Sequence, residues 1–325
     1  MIISKTPCRI SFCGGGTDLY SFYTRHGGAV VNMAIDKYIY LSVNPKFDGR
    51  IRMSYSRTEN VENAEDLKHD LARGCLQLLG IKGVEITSVS DIPGEGSGLG
   101  SSSSFTVGLL KALGEYCGHP FRSPQILAEQ AYSIESCSGN GCGKQDHYAA
   151  AYGGLHFFKF LKSGHVEVEP LCFQNGEDKD FHGQLMLFWT GKTRKASKIL
   201  KQQSVNIVGR AENVALDMRD LAYQLHENLL LGSVFTLGEM LHKNWELKKE
   251  LVDGISSSDI DYIYSKARSL GATGGKLCGA GGGGLLLLCA DPEIHPRIEL
   301  ALSLEGLRRV PIAMSEKGSE VIYHG

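Results

Sequence analysis

The chain has no long apolar run. Its most apolar stretch, residues 285–290, is far too short to span a bilayer, and the opening Met1-Ile2-Ile3-Ser4-Lys5-Thr6-Pro7 lacks the apolar core of a secretory signal. No membrane partner is expected, and a cytoplasmic location follows by default. Excess charge of either sign is missing too. The 34 Lys and Arg nearly cancel the 36 Asp and Glu, so no global field draws in nucleic acid or anionic lipid, and no nucleic-acid partner is expected. Nor is there any Cys-x-x-Cys pair. Nine cysteines at irregular spacing argue for reduced thiols rather than a disulfide framework. Cys137 and Cys142 bracket four residues, but no second pair and no His-x-x-x-His completes a zinc set.

Two familiar nucleotide motifs are also missing. Gly191-Lys192-Thr193 has Met186 where the first glycine of a P-loop would stand. The dinucleotide fingerprint fails from Gly96, because Ser101 holds the last glycine position. It does occur at Gly279, Gly281 and Gly284, but there it runs into a strand-like segment instead of opening a helix.

What is present is a 325-residue chain, 42% hydrophobic and 22% charged, long enough for two globular domains. Its centre of interest is residues 93–104, Pro-Gly-Glu-Gly-Ser-Gly-Leu-Gly-Ser-Ser-Ser-Ser. A β-branched run at 84–89 precedes them, and Phe105, Leu109, Ala112, Leu113 and Tyr116 come after them at helical spacing. Glycines between a strand and a helix start let a polyanion reach unpaired N–H groups at the positive end of the helix dipole. A phosphate-binding loop is expected.

Around it, residues 3–12 read as a strand ending in Cys13-Gly14-Gly15-Gly16-Thr17-Asp18. Arg9 inside that strand either meets an anion or lies on an exposed edge. Asp18 is of a type that caps the segment after a turn. Residues 28–43 hold two strand-like runs, 51–55 a third, and 66–79 a helix. Ser123 and Pro124 open another helix, which carries Glu135 near its end. A polar, glycine-rich turn over 136–147 contains Asp146, and for both carboxylates a solvated surface position is the commoner case. A hairpin at 155–160 and 166–171 precedes a polar stretch, 174–180, that marks a domain boundary. Beyond it come a strand (184–190), long helical patterns (195–250), a helix (258–270), the glycine-rich 271–284, a strand (285–289), a helix (294–304) and a strand (309–314). That order suggests a split βαβ, ferredoxin-like sheet with inserted helices.

In their order, the segments Pro7 to Asp18, Pro93 to Ser103 and Lys276 to Gly284 resemble the three motifs of the GHMP kinase family, named for galactokinase, homoserine kinase, mevalonate kinase and phosphomevalonate kinase. The resemblance covers nearly the whole chain. It implies an α+β, two-domain GHMP kinase fold: a ribosomal S5 domain 2-like N-terminal domain over 1–175 and a ferredoxin-like C-terminal domain over 176–325. ATP is implied in the cleft on Gly94, Gly96, Gly98, Leu99, Gly100, Ser101, Ser102 and Ser103. Magnesium is implied on Ser102 and Glu135, both hard oxygen donors. Asp146 falls on the catalytic aspartate and Arg9 on the first-motif cation, while Gly16, Thr17, Asp18, Gly281 and Gly282 are assigned to the substrate.

Where galactokinases have Gly-Glu-His-Thr-Asp, this chain has Gly14-Gly15-Gly16-Thr17-Asp18, which argues against galactose. That form, with Asp36-Lys37-Tyr38 and residues 190–197, is most similar to the branch holding heptose 7-phosphate kinases and fucokinase-like enzymes. The implied reaction is phosphorylation of a small-molecule sugar phosphate at its anomeric hydroxyl, D-glycero-D-manno-heptose 7-phosphate giving the 1,7-bisphosphate. Lys192 and Arg194, beside a helix start, suit the remote phosphate, Arg194 best because its fork meets two oxygens at once. The alternatives are another sugar 1-kinase of the fucokinase or galactokinase type and an inactive sugar or nucleotide sensor. Oligomeric state is left open.

Overall fold

The computed structural model describes residues 1–93, 96–138, 142–173, 177–192, 196–279 and 281–325. The expectations placed on Gly94, Arg194 and the first part of the 174–180 boundary lie outside the described residues.

A long antiparallel pair forms the spine. Strand β1 (Ile2–Cys13) runs against β2 (Gly28–Pro45), with helix α1 (Tyr20–His26) between them. Pro7, which has no N–H to donate, is tolerated in β1 beside a register shift between Pro7 and Cys8. The chain continues through β3 (Ile51–Ser54), β4 (Thr58–Val61), α2 (Asp70–Leu79), β5 (Val84–Ser90), α3 (Ser101–Tyr116), α4 (Pro124–Cys137), α5 (Gln145–Tyr152), β6 (Leu155–Phe160) and β7 (Val166–Pro170). The two runs expected in 28–43 are therefore one strand. They read as two because residues 28–33 pair with β6 while residues 39–45 pair with β5. Helix α2 starts four residues later than expected, because His69 caps it, Nδ1 accepting from the Ala72 N–H at 3.3 Å. Ser123 caps α4 as expected, accepting from the Ile126 N–H, with Pro124 at the first turn.

After α6 (Glu177–Gly183), the second half runs β8 (Leu185–Trp189), α7 (Ala196–Asn206), α8 (Glu212–Leu230), α9 (Leu237–Leu251), α10 (Ser258–Ser269), β9 (Gly274–Leu277), β10 (Leu285–Cys289), α11 (His295–Ser303) and β11 (Arg308–Val310). The sheet order β11-β8-β10-β9, antiparallel throughout, is the expected ferredoxin-like arrangement. β10 reads as unbroken Leu-Leu-Leu-Leu because it lies between two strands and is buried on both faces. β9 was hidden by Gly274 and Gly275 inside the glycine-rich stretch.

The end of the chain departs from expectation. β11 stops at Val310, Met314 bridges to Ile35, and a last strand, β12 (Glu320–His324), pairs with β1 in the first sheet. A division at residue 175 thus leaves Glu320–His324 on the sheet of the first half. Helices α8 and α9 also reach across. They pack on each other and on β1, as do α3 and α5, so residues 6–13 are buried on both faces. Leu221, Leu225, Leu237 and Leu241 accordingly join the core of the first sheet. Where these helices meet the loops at the end of β1, polar side chains of all three glycine segments gather.

Candidate active site

The second and third glycine segments touch through their backbones. A Cβ on Gly98 would lie 2.4 Å from the Cys278 carbonyl oxygen, and one on Gly279 would lie 2.4 Å from the Gly98 Cα, so any side chain at either position would drive the loops apart. Both residues have positive φ as well. Arg9 ties the first segment to this junction: its N–H donates to the Leu99 carbonyl at 3.0 Å and its Nη1 to the Gly98 carbonyl at 2.9 Å. All three motifs thus converge. Gly100, in left-handed conformation, is the N-cap of α3 and brings no side-chain cap.

Two groups of polar side chains sit at that helix start. Ser102 and Ser103 donate to the two oxygens of Glu135 at 2.7 and 2.8 Å, and His147 Nε2 lies 2.7 Å from Glu135 Oε2. Burial pushes the Glu135 carboxyl up, but His147 and the serine hydroxyls outweigh it and hold its pKa below the ordinary value. Beside them, Arg9 Nε and Nη2 both reach Asp146 Oδ1 at 2.7 Å. Arg9 is 4% exposed, so it meets its anion in the interior and the exposed-edge alternative is excluded. Asp146 Oδ2 lies against Gly100, where an added Cβ would come within 3.1 Å. The polar turn expected up to His147 becomes helix at Gln145, which fixes Asp146 in the first turn of α5. Glu135 is 5% exposed, and a solvated role for it is excluded too.

Asp18 is buried beside this pair. It accepts from the Gly16 N–H (2.9 Å), the Gln145 N–H (3.1 Å) and Gln145 Nε2 (3.2 Å), while burial and the Asp146 charge push its pKa up. Gly143 has to be glycine, since a Cβ there would lie 1.9 Å from Asp18 Oδ2. Around the first glycine turn, several buried polar atoms have no partner among the described residues: Ser11 Oγ, Asn32 Oδ1, Gln145 Oε1 and Asn244 Nδ2. Ser11 and Gln145 flank Gly15, Asn32 donates to the Gln145 carbonyl, and Asn244 accepts from the Gly14 N–H. Buried polar atoms are seldom left unpaired, so the cluster suits a ligand rich in hydroxyls.

Two buried lysines complete the arrangement. Lys276 Nζ donates to the Ser11 carbonyl at 2.7 Å, and Lys248 Nζ donates to the Gly279 carbonyl. Burial pulls Lys248 down to about 7, helped by the charges of Lys276 and Arg9, and burial pulls Lys276 down to about 8. Sequence reasoning assigned nothing to Lys248, Asn244, Gln145, Ser11 or Asn32. A signal existed for the first two: they occupy the buried stripe of α9 with Leu237, Leu241 and Leu251, at helical spacing.

The other assigned residues have the following surroundings. Thr17 Oγ1 contacts the Gly14 and Ala29 carbonyls and accepts from the Ala29 N–H, so its hydroxyl is engaged inside the turn. The Leu99 side chain is in the core. Gly281 and Gly282 pack on Ile255, whose carbonyl accepts the Gly282 N–H at 2.8 Å. Lys192 turns to the surface, where its ammonium pairs with Asp259. Gly16 faces Gln203, a buried side chain of α7, whose Nε2 stands 2.2 Å from where its Cβ would be.

Residues 66–154 match the family description GHMP kinases N terminal domain, and residues 225–305 match GHMP kinases C terminal. The chain is 31% identical over 320 residues to a D-glycero-alpha-D-manno-heptose 7-phosphate kinase of Campylobacter jejuni, covering 94% of both. It is 28% identical to an L-fucokinase/L-fucose-1-P guanylyltransferase of Bacteroides fragilis, matching 99% of this chain but 38% of that longer protein. Among solved structures, a D-glycero-D-manno-heptose 1-phosphate kinase from Bacteroides thetaiotaomicron superposes with a TM-score of 0.82 at 25% identity over 100% of both chains. A Lactococcus lactis galactokinase complexed with galactose shares the fold, with a TM-score of 0.77 at 17% identity.

Proposed function

The chain belongs to the GHMP kinase family and is an ATP-dependent phosphotransferase acting on a sugar hydroxyl, and from that premise we propose that its acceptor is D-glycero-D-manno-heptose 7-phosphate, phosphorylated at the anomeric hydroxyl to the 1,7-bisphosphate. The pairing of Asp146 with Arg9 beside the Ser102, Ser103 and Glu135 group at the start of α3 supports the phosphoryl transfer, and the choice of acceptor rests on the 31% identity to a heptose 7-phosphate kinase. Asp146 accepts or orients the proton of the attacking hydroxyl. Arg9 stabilises the charge developing between that oxygen and the phosphoryl group, with Lys248 as a second cation. Asp18 receives the sugar hydroxyls together with Ser11, Asn32 and Gln145, whose unpaired atoms such hydroxyls would satisfy.

The residues present fit a magnesium nucleotide. The uncapped start of α3 supplies amides suited to phosphate, and the serine hydroxyl and carboxylate of Ser102 and Glu135 are hard oxygen donors already 2.7 Å apart. Bound ATP supplies the phosphoryl group, and magnesium neutralises its charge. Ser102→Ala and Glu135→Gln are each expected to raise the magnesium concentration for half-maximal rate several-fold. An unchanged magnesium dependence in both variants would remove these residues from the metal.

The names of the Campylobacter and Bacteroides relatives mention different phosphates, so the acceptor has to be measured. Catalytic efficiency on heptose 7-phosphate should exceed that on unphosphorylated heptose, fucose or galactose by about tenfold to a hundredfold, the contribution of one charge-assisted phosphate contact. A free sugar used equally well would overturn the assignment, and phosphorus NMR of the product locates the new phosphate.

A further inference from the structure

The zinc set absent from the sequence is assembled in space. Glu135, Cys142 and His147 each offer one ligand atom, and the three atoms lie within 4.8 Å of one another. We propose that they form a site for a soft divalent cation of the zinc type, overlapping the oxygen ligands assigned to magnesium, so that zinc holds the kinase inactive.

Bond lengths of about 2.0 Å to oxygen and nitrogen and about 2.3 Å to sulfur put tetrahedral zinc ligands roughly 3.3 to 3.6 Å apart, so a bound ion draws the farthest ligand atoms together by about 1 Å and parts Glu135 from His147, which lie 2.7 Å apart. Two of the three side chains are held firmly. Glu135 sits in the last turn of α4 and His147 in the first turns of α5, both buried. Cys142 stands between them in sequence and is half-buried. The carboxylates of Glu135, Asp146 and Asp18 all act on the Cys142 side chain, and their combined negative charge favours a cation there. A thiolate, an imidazole and one carboxylate oxygen suit zinc and are a poor set for magnesium, which needs oxygen throughout. Cys137, exposed, is not part of the group.

Three protein ligands leave the fourth position open, as in exchangeable rather than structural sites. His147 Nδ1 has no partner among the described residues, so the outer hydrogen bond that typically strengthens a metal-bound histidine about 10- to 100-fold is missing. The site is therefore an inhibitory one of modest affinity. Zinc bound there draws Glu135 away from Ser102 and Ser103, a consequence that rests on the proposed magnesium role of Glu135.

The test titrates the full chain with Co2+ and with Zn2+, free of nucleotide. One equivalent of Co2+ should give the near-ultraviolet thiolate absorption, and zinc should displace it. Cys142→Ser should abolish that absorption and weaken zinc binding at least tenfold, with unchanged magnesium-supported activity, while Cys137→Ser should behave as wild type. Absence of the thiolate absorption, or equal zinc affinity in Cys142→Ser, overturns the site. Zinc bound through Cys142 without inhibition would keep the site and overturn its overlap with magnesium.

Discussion

Asp146→Asn is expected to lower turnover about 10²- to 10⁴-fold, the usual contribution of a positioned acid or base, while leaving ATP affinity nearly intact. Asparagine is the informative replacement because it separates proton transfer from folding. Arg9 is almost wholly buried, and both of its hydrogen bonds to Asp146 go to a single oxygen, Oδ1. An asparagine carbonyl in the same place still accepts from Arg9 but takes no proton from a sugar hydroxyl. Alanine would instead strand a buried guanidinium, a change that costs about 3–5 kcal/mol where a buried pair loses one member, and so would confound activity with stability. The measurement is steady-state turnover with the KM for ATP and the melting temperature of both variants. Near-wild-type turnover in a folded Asp146→Asn protein would remove Asp146 from the role.

The parts of this site that were legible in the sequence are those whose cause is local. The segment 93–104 announced itself because glycines, a β-branched run and an amphipathic helix adjoin along the chain, and α3 starts at Ser101 with Gly100 before it. Ser102, Arg9, Glu135 and Asp146 stood out in the sequence, but their roles came only through the resemblance, since Arg9 lies 137 residues from the carboxylate it pairs with. Surroundings built from distant parts of the chain were not legible. Gly281 and Gly282, assigned to the substrate, pack on Ile255, and the Thr17 hydroxyl is engaged within its own turn. Strand β12 left no local mark, because it pairs with a strand from the start of the chain, and Lys248 showed only its place on the buried stripe of α9, not its partner in the third glycine loop. His147, which on its own in the sequence is an unremarkable lone histidine, lies against Glu135, and the placement depends on α4 meeting α5.

Lys248→Met is expected to make the ligand-free protein more stable at neutral pH and about 10²- to 10³-fold slower, the cost of losing one positioned donor to a developing charge. The stability half comes from burial. The Lys248 ammonium is buried and pulled down to about 7, first by burial and then by the charges of Lys276 and Arg9. In the unfolded chain the same lysine keeps its proton up to about 10.4. Between those values the unfolded chain binds more protons, so stability rises with pH from about 7 to about 10, and below 7 the penalty for the buried ammonium is fully present. At about 1.4 kcal/mol per pKa unit the penalty amounts to a few kcal/mol, and methionine, of similar length and apolar, removes it. The variant should melt several degrees higher than wild type at pH 6.5, with the difference shrinking toward pH 10. The functional half comes from position. Lys248 donates to Gly279 in the loop that touches Gly98, and Arg9 and Asp18 are close enough to act on its charge. An anionic ligand beside it should return the proton, so ATP binding above pH 7 should take up about one proton in wild type and less in Lys248→Met. Calorimetry in buffers of different ionisation enthalpy measures that number, and a merely structural lysine would not change it. Lys248→Arg keeps the charge and should recover part of the rate. If Lys248→Met keeps wild-type turnover and unchanged proton uptake, Lys248 only braces the third glycine loop.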